Sequence, residues 1–164
     1  MSFFRLKKIK GKEYAYIVEN EWHSKGRRQK VKDYIGRAYR FDTTKNDDFL
    51  AFMKIVDSED YINQKDKKGI IKDLVKWELY KFGVDNQEFS IDLNNIKIQK
   101  KNKNAVLMIN EGFMCELTLK NLLEFKAEGD EQLDGYRFAR AFVEAGIKVP
   151  QEIFVGLYQK LKSF

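Results

Sequence analysis

The chain holds one cysteine, Cys115, one histidine, His23, and one proline, Pro150, in 164 residues. A single cysteine allows no disulfide within the chain, so stability must come from a packed core, and a reducing compartment is expected. With one histidine and one cysteine, neither a Cys₂His₂ nor a Cys₄ zinc centre can be assembled. No run approaches the ~18–20 apolar residues of a bilayer span, and the opening Met1-Ser2-Phe3-Phe4-Arg5-Leu6-Lys7-Lys8 meets lysines before an apolar leader develops. These absences read as a soluble, cytoplasmic protein with no membrane contact, no metal and no cofactor. What is present is aromatic: 13 Phe and 8 Tyr within a 43% hydrophobic composition supply enough buriable surface for a core and exclude wholesale disorder.

The net charge of +6 is unevenly placed. Residues 1–40 carry twelve Lys and Arg against four Asp and Glu, a net +8, whereas the other 124 residues carry 19 against 21, a net −2. A quarter of the chain therefore holds more than the whole excess, which is the pattern of a footprint for a polyanion. The plainer alternative is a lysine-rich solvated face.

Local patterning places that charge on strands. The apolar and basic run Phe3 to Ile9, the turn signal Lys10-Gly11-Lys12 and the β-branched and aromatic Glu13-Tyr14-Ala15-Tyr16-Ile17-Val18-Glu19 predict a hairpin. A second break at His23-Ser24-Lys25-Gly26-Arg27 precedes a third strand, Arg28 to Ile35, closed by Gly36. Strict alternation would put Arg28, Lys30, Lys32 and Tyr34 on one face of it, and would group Tyr14, Tyr16 and Val18 in the second strand. Exposed cations for phosphates and Tyr14, Tyr16 or Tyr34 for base stacking make the candidate site; each tyrosine reads equally well as core. The nucleic-acid-binding candidates are Arg5, Lys7, Lys8, Lys10, Lys12, Tyr14, Tyr16, Lys25, Arg27, Arg28, Lys30, Lys32, Tyr34, Arg37 and Arg40.

The spacing Arg5-x-Lys7-x-x-x-Gly11-Lys12-x-Tyr14-x-Tyr16-Ile17-Val18-Glu19, with Trp22, Gly26, Arg28-Gln29-Lys30-Val31-Lys32 and Tyr34-Ile35-Gly36 after it, resembles the small basic β module that opens many DDE-type transposases and several archaeal hypothetical proteins. The resemblance covers about a quarter of the chain and implies contact with nucleic acid alone. Residues 41–164 do not resemble that family's longer catalytic domain with its three metal-binding carboxylates, so transposase activity is not implied.

The rest of the chain reads as an α+β scaffold, residues 42–164 against a meander at 1–41, either two units or one compact domain. A polar linker, Asp42 to Asp48, leads to a short helix carrying Phe49, Leu50, Phe52, Met53 and Val56. A second helix carries Ile70, Ile71, Leu74, Val75, Trp77, Leu79 and Phe82 and ends at Gly83. The lysines in and just before it, Lys65, Lys67, Lys68, Lys72, Lys76 and Lys81, read either as an extension of the N-terminal patch or, with Asp66, Asp73 and Glu78 among them, as an ordinary solvated face, which is favoured. Phe89 to Leu93, Ile96 to Lys100 and Ala105 to Ile109 predict a second meander, whose turn residues Lys101 and Lys103, with Lys97 and Lys100, form a smaller basic cluster. Three helices finish the chain. Thr118 is expected to cap the first and Asp130 the second, with Leu133, Tyr136, Ala139, Phe142 and Val143 of the second facing inward; the third follows Pro150. Cys115 reads as a small buried hydrophobe.

The function this pattern favours is a non-catalytic nucleic-acid-binding protein, RNA preferred because the basic elements are strands and loops bearing aromatics, in the manner of a ribosome-associated or RNA-processing factor. An adaptor or regulatory subunit binding an acidic protein is the alternative. The minor alternatives are a DNA-binding transposon-derived protein and a metal-dependent nuclease using Asp92 and Glu124-x-Lys126, the latter disfavoured because the Glu124–Lys126 pair falls on a helix where a strand is needed. Replacing Arg28, Lys30 and Lys32 by Glu is expected to abolish polyanion binding in a folded protein.

Overall fold

The structure, a computed structural model, describes residues 2–162. Three long strands open it: β1 (Ser2–Ile9), β2 (Lys12–His23) and β3 (Gly26–Arg40), antiparallel in sequence order. The β1–β2 turn uses Lys10 and Gly11, both at positive φ, which glycine accepts without strain. Three helices follow, α1 (Phe49–Met53), α2 (Ser58–Gln64) and α3 (Lys67–Lys81). The second group of strands is β4 (Ser90–Asp92), β5 (Lys97–Lys100), β6 (Lys103–Ile109) and β7 (Gly112–Met114), and the chain closes with α4 (Glu116–Leu123), α5 (Glu131–Glu144) and α6 (Gln151–Lys162). The class is α+β, with strands and helices in separate runs.

One mixed sheet joins both strand groups in the order β1-β2-β3-β6-β5-β4, with β7 also on β6. The joint is parallel, Arg37 to Arg40 of β3 against Ala105 to Met108 of β6. Gly36 therefore does not close the third strand, which runs on to Arg40. A Cβ at Gly36 would lie 2.5 Å from the Asn104 carbonyl oxygen, so the missing side chain admits β6 at close range where the sequence suggested a stop.

The main core lies on one side of this sheet, where Leu107, Ile109 and Met114 meet Leu74 of α3, Leu119 of α4, Phe138 and Phe142 of α5, and Leu157 of α6. A smaller cluster on the other side packs Ala15, Ala38, Val106 and Cys115 with Phe4, Leu6 and Phe113, the Phe4 and Phe113 rings stacked at 4.5 Å. Cys115 is buried as expected, and burial pushes its thiol up. It, and not Thr118, is the N-cap of α4; Thr118 sits three residues on and accepts from the Cys115 backbone N–H in a capping-box arrangement.

Two further expectations are corrected, and one helix stands where none was expected. Helix α2, capped by the Asp57 carboxylate, carries too few apolar residues for its periodicity to stand out in the sequence. In α5 the buried side chains are Asp134, Phe138 and Phe142, while Leu133, Tyr136 and Val143 are exposed, because the helix is rotated to fold Asp134 over the Glu128 and Gly129 backbone N–H groups. Those bonds hold the Asp134 carboxyl below its ordinary value. Asp73 and Glu78 of α3 are likewise buried and not on a solvated face.

Glu78 is fully buried and accepts from Asn110 Nδ2 at 2.6 Å and the Lys148 backbone N–H at 3.1 Å, with Lys81 Nζ at 3.3 Å. One carboxylate thus ties α3 to the β6–β7 turn and to the α5–α6 connection. Glu78→Ala is expected to cost about 3–5 kcal/mol in urea unfolding, because the partly buried Lys81 cation and two donors lose their partner. Burial raises the Glu78 carboxyl above its ordinary value. A raised carboxyl contributes most below its unfolded value of about 4.3 and loses that contribution as pH rises through the folded value. The stability of the wild type relative to Glu78→Gln should therefore be greater at pH 4 than at pH 7, read from paired urea curves.

Candidate nucleic-acid interface

Side chains directly opposite each other across antiparallel strands share a face, so the register sorts the meander. One face takes Phe3, Arg5, Lys7 and Ile9 of β1, Lys12, Tyr14, Tyr16, Val18, Asn20 and Trp22 of β2, and Arg27, Gln29, Val31, Tyr34 and Arg37 of β3. The opposite face takes Glu13, Glu19 and Glu21 of β2 and Asp33 of β3, which are all four acids of the meander, together with Lys8, Arg28 and Lys30. The first face therefore carries five cations and no acid.

Two irregularities in β3 produce this sorting. Tyr16 pairs with Tyr34 while Ala15 pairs with Gly36, leaving Ile35 extra; Ile17 pairs with Asp33 while Val18 pairs with Val31, leaving Lys32 extra. Each added residue reverses the alternation beyond it. Tyr34 consequently does not share a face with Arg28 and Lys30, as strict alternation required, and Lys30 lies 3.4 Å from Glu21 on the acidic side.

On the acid-free face the tyrosines gather. The Tyr34 ring stands 5.2 Å from Tyr16 and 6.4 Å from Tyr14, Lys7 Nζ lies 4.9 Å over the Tyr16 ring, and Arg5 donates to Gln29. Tyr34 is 52% exposed, and Tyr14 and Tyr16 are half-buried, so none of the three is core. Partial burial and the neighbouring tyrosines push the Tyr34 hydroxyl up, so it stays neutral and a hydrogen-bond donor. Arg37 lies over the Tyr39 ring at 4.9 Å, its Nε buried without a hydrogen-bond partner. Lys103 opens β6 two residues before Ala105, the partner of Arg37, and so extends the same face.

The other candidates are dispersed. Lys10 sits in the β1–β2 turn and Lys25 in the β2–β3 turn. Arg40 is engaged by Glu13 through two bonds of 2.5 and 2.8 Å, which hold the Glu13 carboxyl below its ordinary value. Lys101 lines a separate open groove of about 1110 Å³ with Lys45, Lys72 and Lys76, where Glu88 and Asp92 also face. Asp92 accepts from the backbone N–H groups of Asn94 and Asn95 in a turn, and Glu124 is the C-cap of α4, so the two share no strand. Among the described residues no group of three or more His, Cys, Asp or Glu side chains is placed to hold a metal ion, and no helix is long and apolar enough to cross a membrane.

Trp22, which enters the sequence reading only as part of the resemblance and not as a site candidate, stands on the acid-free face opposite Arg27. Its signal was available: an indole in a polar, charged stretch with no apolar neighbour at strand spacing. No protein-family model, curated protein or solved structure matches the chain.

Two charge-reversed triples separate the faces. Arg5→Glu, Lys7→Glu and Arg27→Glu together should weaken binding of a fluorescein-labelled RNA about tenfold or more in anisotropy titrations. Arg28→Glu, Lys30→Glu and Lys32→Glu, which change net charge equally, should weaken it less and not abolish it as strict alternation implied, because Arg28 and Lys30 pair with Glu21 and Glu19. Equal losses would mean that total charge, not the acid-free face, governs binding.

Proposed function

We propose that the chain is a non-catalytic nucleic-acid-binding protein, with RNA preferred, acting as a ribosome-associated or RNA-processing accessory. The observation that carries this reading is the segregation of the meander's four acids onto one face, leaving Arg5, Lys7, Lys12, Arg27 and Arg37 beside the tyrosines on the other. Cations satisfy phosphates, and ring faces satisfy bases regardless of sequence. An acidic protein surface would also answer the charge, but it makes no use of the ring faces of Tyr14, Tyr16 and Tyr34. The meander's cations stand on strands and in the turn at Lys25 beside ring faces, an arrangement suited to RNA more than to a DNA groove.

Salt dependence and competition test the reading. If five cations each release a counterion from a single strand, log affinity should fall against log salt with a slope of about −3 to −4. Unlabelled RNA should displace the labelled strand at lower concentration than polyglutamate of equal charge. Stronger displacement by polyglutamate would replace this reading with the adaptor.

A further inference from the structure

Among the described residues, β1 pairs with β2 as far as Ser2 opposite Glu19. Beyond that point Asn20 to His23 and Gly26 to Gln29 form a two-stranded ribbon, with Trp22 near its tip. Trp22 is 80% exposed, more than any other aromatic side chain among the described residues. A ribbon with only two strands gives an indole nothing to pack against.

The indole nevertheless has a defined direction. Cross-strand pairing with Arg27 puts it on the acid-free face, in line with Asn20 and Gln29, then Val18, Val31 and Phe3, then Tyr16 and Tyr34. Ring faces thus stand at both ends of one track, with apolar side chains and the Arg5–Gln29 pair between them. Trp22 and Tyr16 are six residues apart on β2, a separation of about 20 Å at about 3.4 Å per residue.

We infer that Trp22 is a base-stacking subsite for single-stranded nucleic acid, forming the far end of a track that begins at Tyr16 and Tyr34. This inference rests on the proposed nucleic-acid function and narrows it to unpaired strands. A duplex keeps its base faces stacked on one another, so an indole and three tyrosines on a strand surface find no ring to cover; a single strand exposes them. At about 3.4 Å per stacked nucleotide the 20 Å track spans about six nucleotides, and fewer where the strand is extended. A strand of three nucleotides is too short to reach both ends.

The protein carries its own reporter. It has two tryptophans, and Trp77 is 6% exposed with its Nε1 bonded to the Asp47 carbonyl at 2.9 Å, so contact quenching of indole emission reads Trp22. The experiment titrates the full chain and Trp22→Ala with an oligouridylate octamer, a trimer and an octamer-length RNA duplex, following indole emission and, separately, anisotropy of labelled strands. The octamer should quench the wild-type emission and bind more tightly than the trimer. Trp22→Ala should lose that quench, weaken octamer binding about five- to a hundredfold, and leave trimer binding and the circular dichroism spectrum unchanged. Octamer binding without quenching and without loss in Trp22→Ala would overturn the subsite while the nucleic-acid reading stands. Duplex binding equal to octamer binding would overturn the preference for single strands. Binding of neither octamer nor duplex would remove the functional reading together with the inference.

Discussion

The parallel pairing of Arg37 to Arg40 with Ala105 to Met108 determines how the meander is presented to solvent. Without it, the three strands would lose their hydrogen-bonded link to the rest of the sheet, and so small a sheet is marginal by itself. With it, the face that holds Leu107 and Tyr39 over the helical core continues outward as the face that holds Arg37, Tyr34 and Tyr16. Core and candidate interface are therefore two stretches of one sheet surface, covered by helices at one end and open at the other. The side chain missing at Gly36 is what lets the two stretches meet, since any Cβ there would meet the Asn104 carbonyl.

Electrostatics follow from that geometry and from two added residues. Ile35 and Lys32 are surplus in the β2–β3 ladder, and each turns the following side chains over. Their combined effect is to put Asp33 with Glu13, Glu19 and Glu21, and Tyr34 with Tyr14 and Tyr16. Charge of one sign on a surface repels itself, so a face with cations and no acid is held at some cost in stability that an anionic ligand would relieve. On the opposite face the same kinds of side chain are mutually satisfied, as Arg40 with Glu13 and Lys30 with Glu21 illustrate.

Much of this was legible in the sequence, and the unread remainder has definite causes. The three opening strands, the turn at Lys10 and Gly11, the apolar stripe of α3, the second meander and the Asp130 cap are all local signals of periodicity, turn chemistry or capping, and all are present. Bulges are not local in that sense: one extra residue leaves composition and propensity unchanged while reversing which side chains meet, so the grouping of Tyr34 with Arg28 and Lys30 failed. The orientation of α5 failed for a related reason. Leu133, Tyr136 and Val143 make as good an apolar stripe as the true one, and the tie is broken by Asp134 binding the Glu128 and Gly129 amides, a contact no spacing announces. Glu78 and Asp73 looked solvated because burial of a carboxylate depends on donors brought from Asn110 and Lys148 in one case and Tyr61 in the other.

The pairing with β6 also leaves most of β3 with one free side. Among the described residues, no strand lies beyond the outer backbone groups of Gly26 to Ile35, and β1 is equally open along its far edge. Open edges of this length are templates on which a second copy of a chain can add strands, and cations along the edge are a recognised defence because identical charges would be brought together. Arg27, Arg28, Lys30 and Lys32 stand along β3, and Arg5, Lys7 and Lys8 along β1. Like charges at these positions disfavour edge-to-edge addition of a second copy, and neutralising them would weaken that protection.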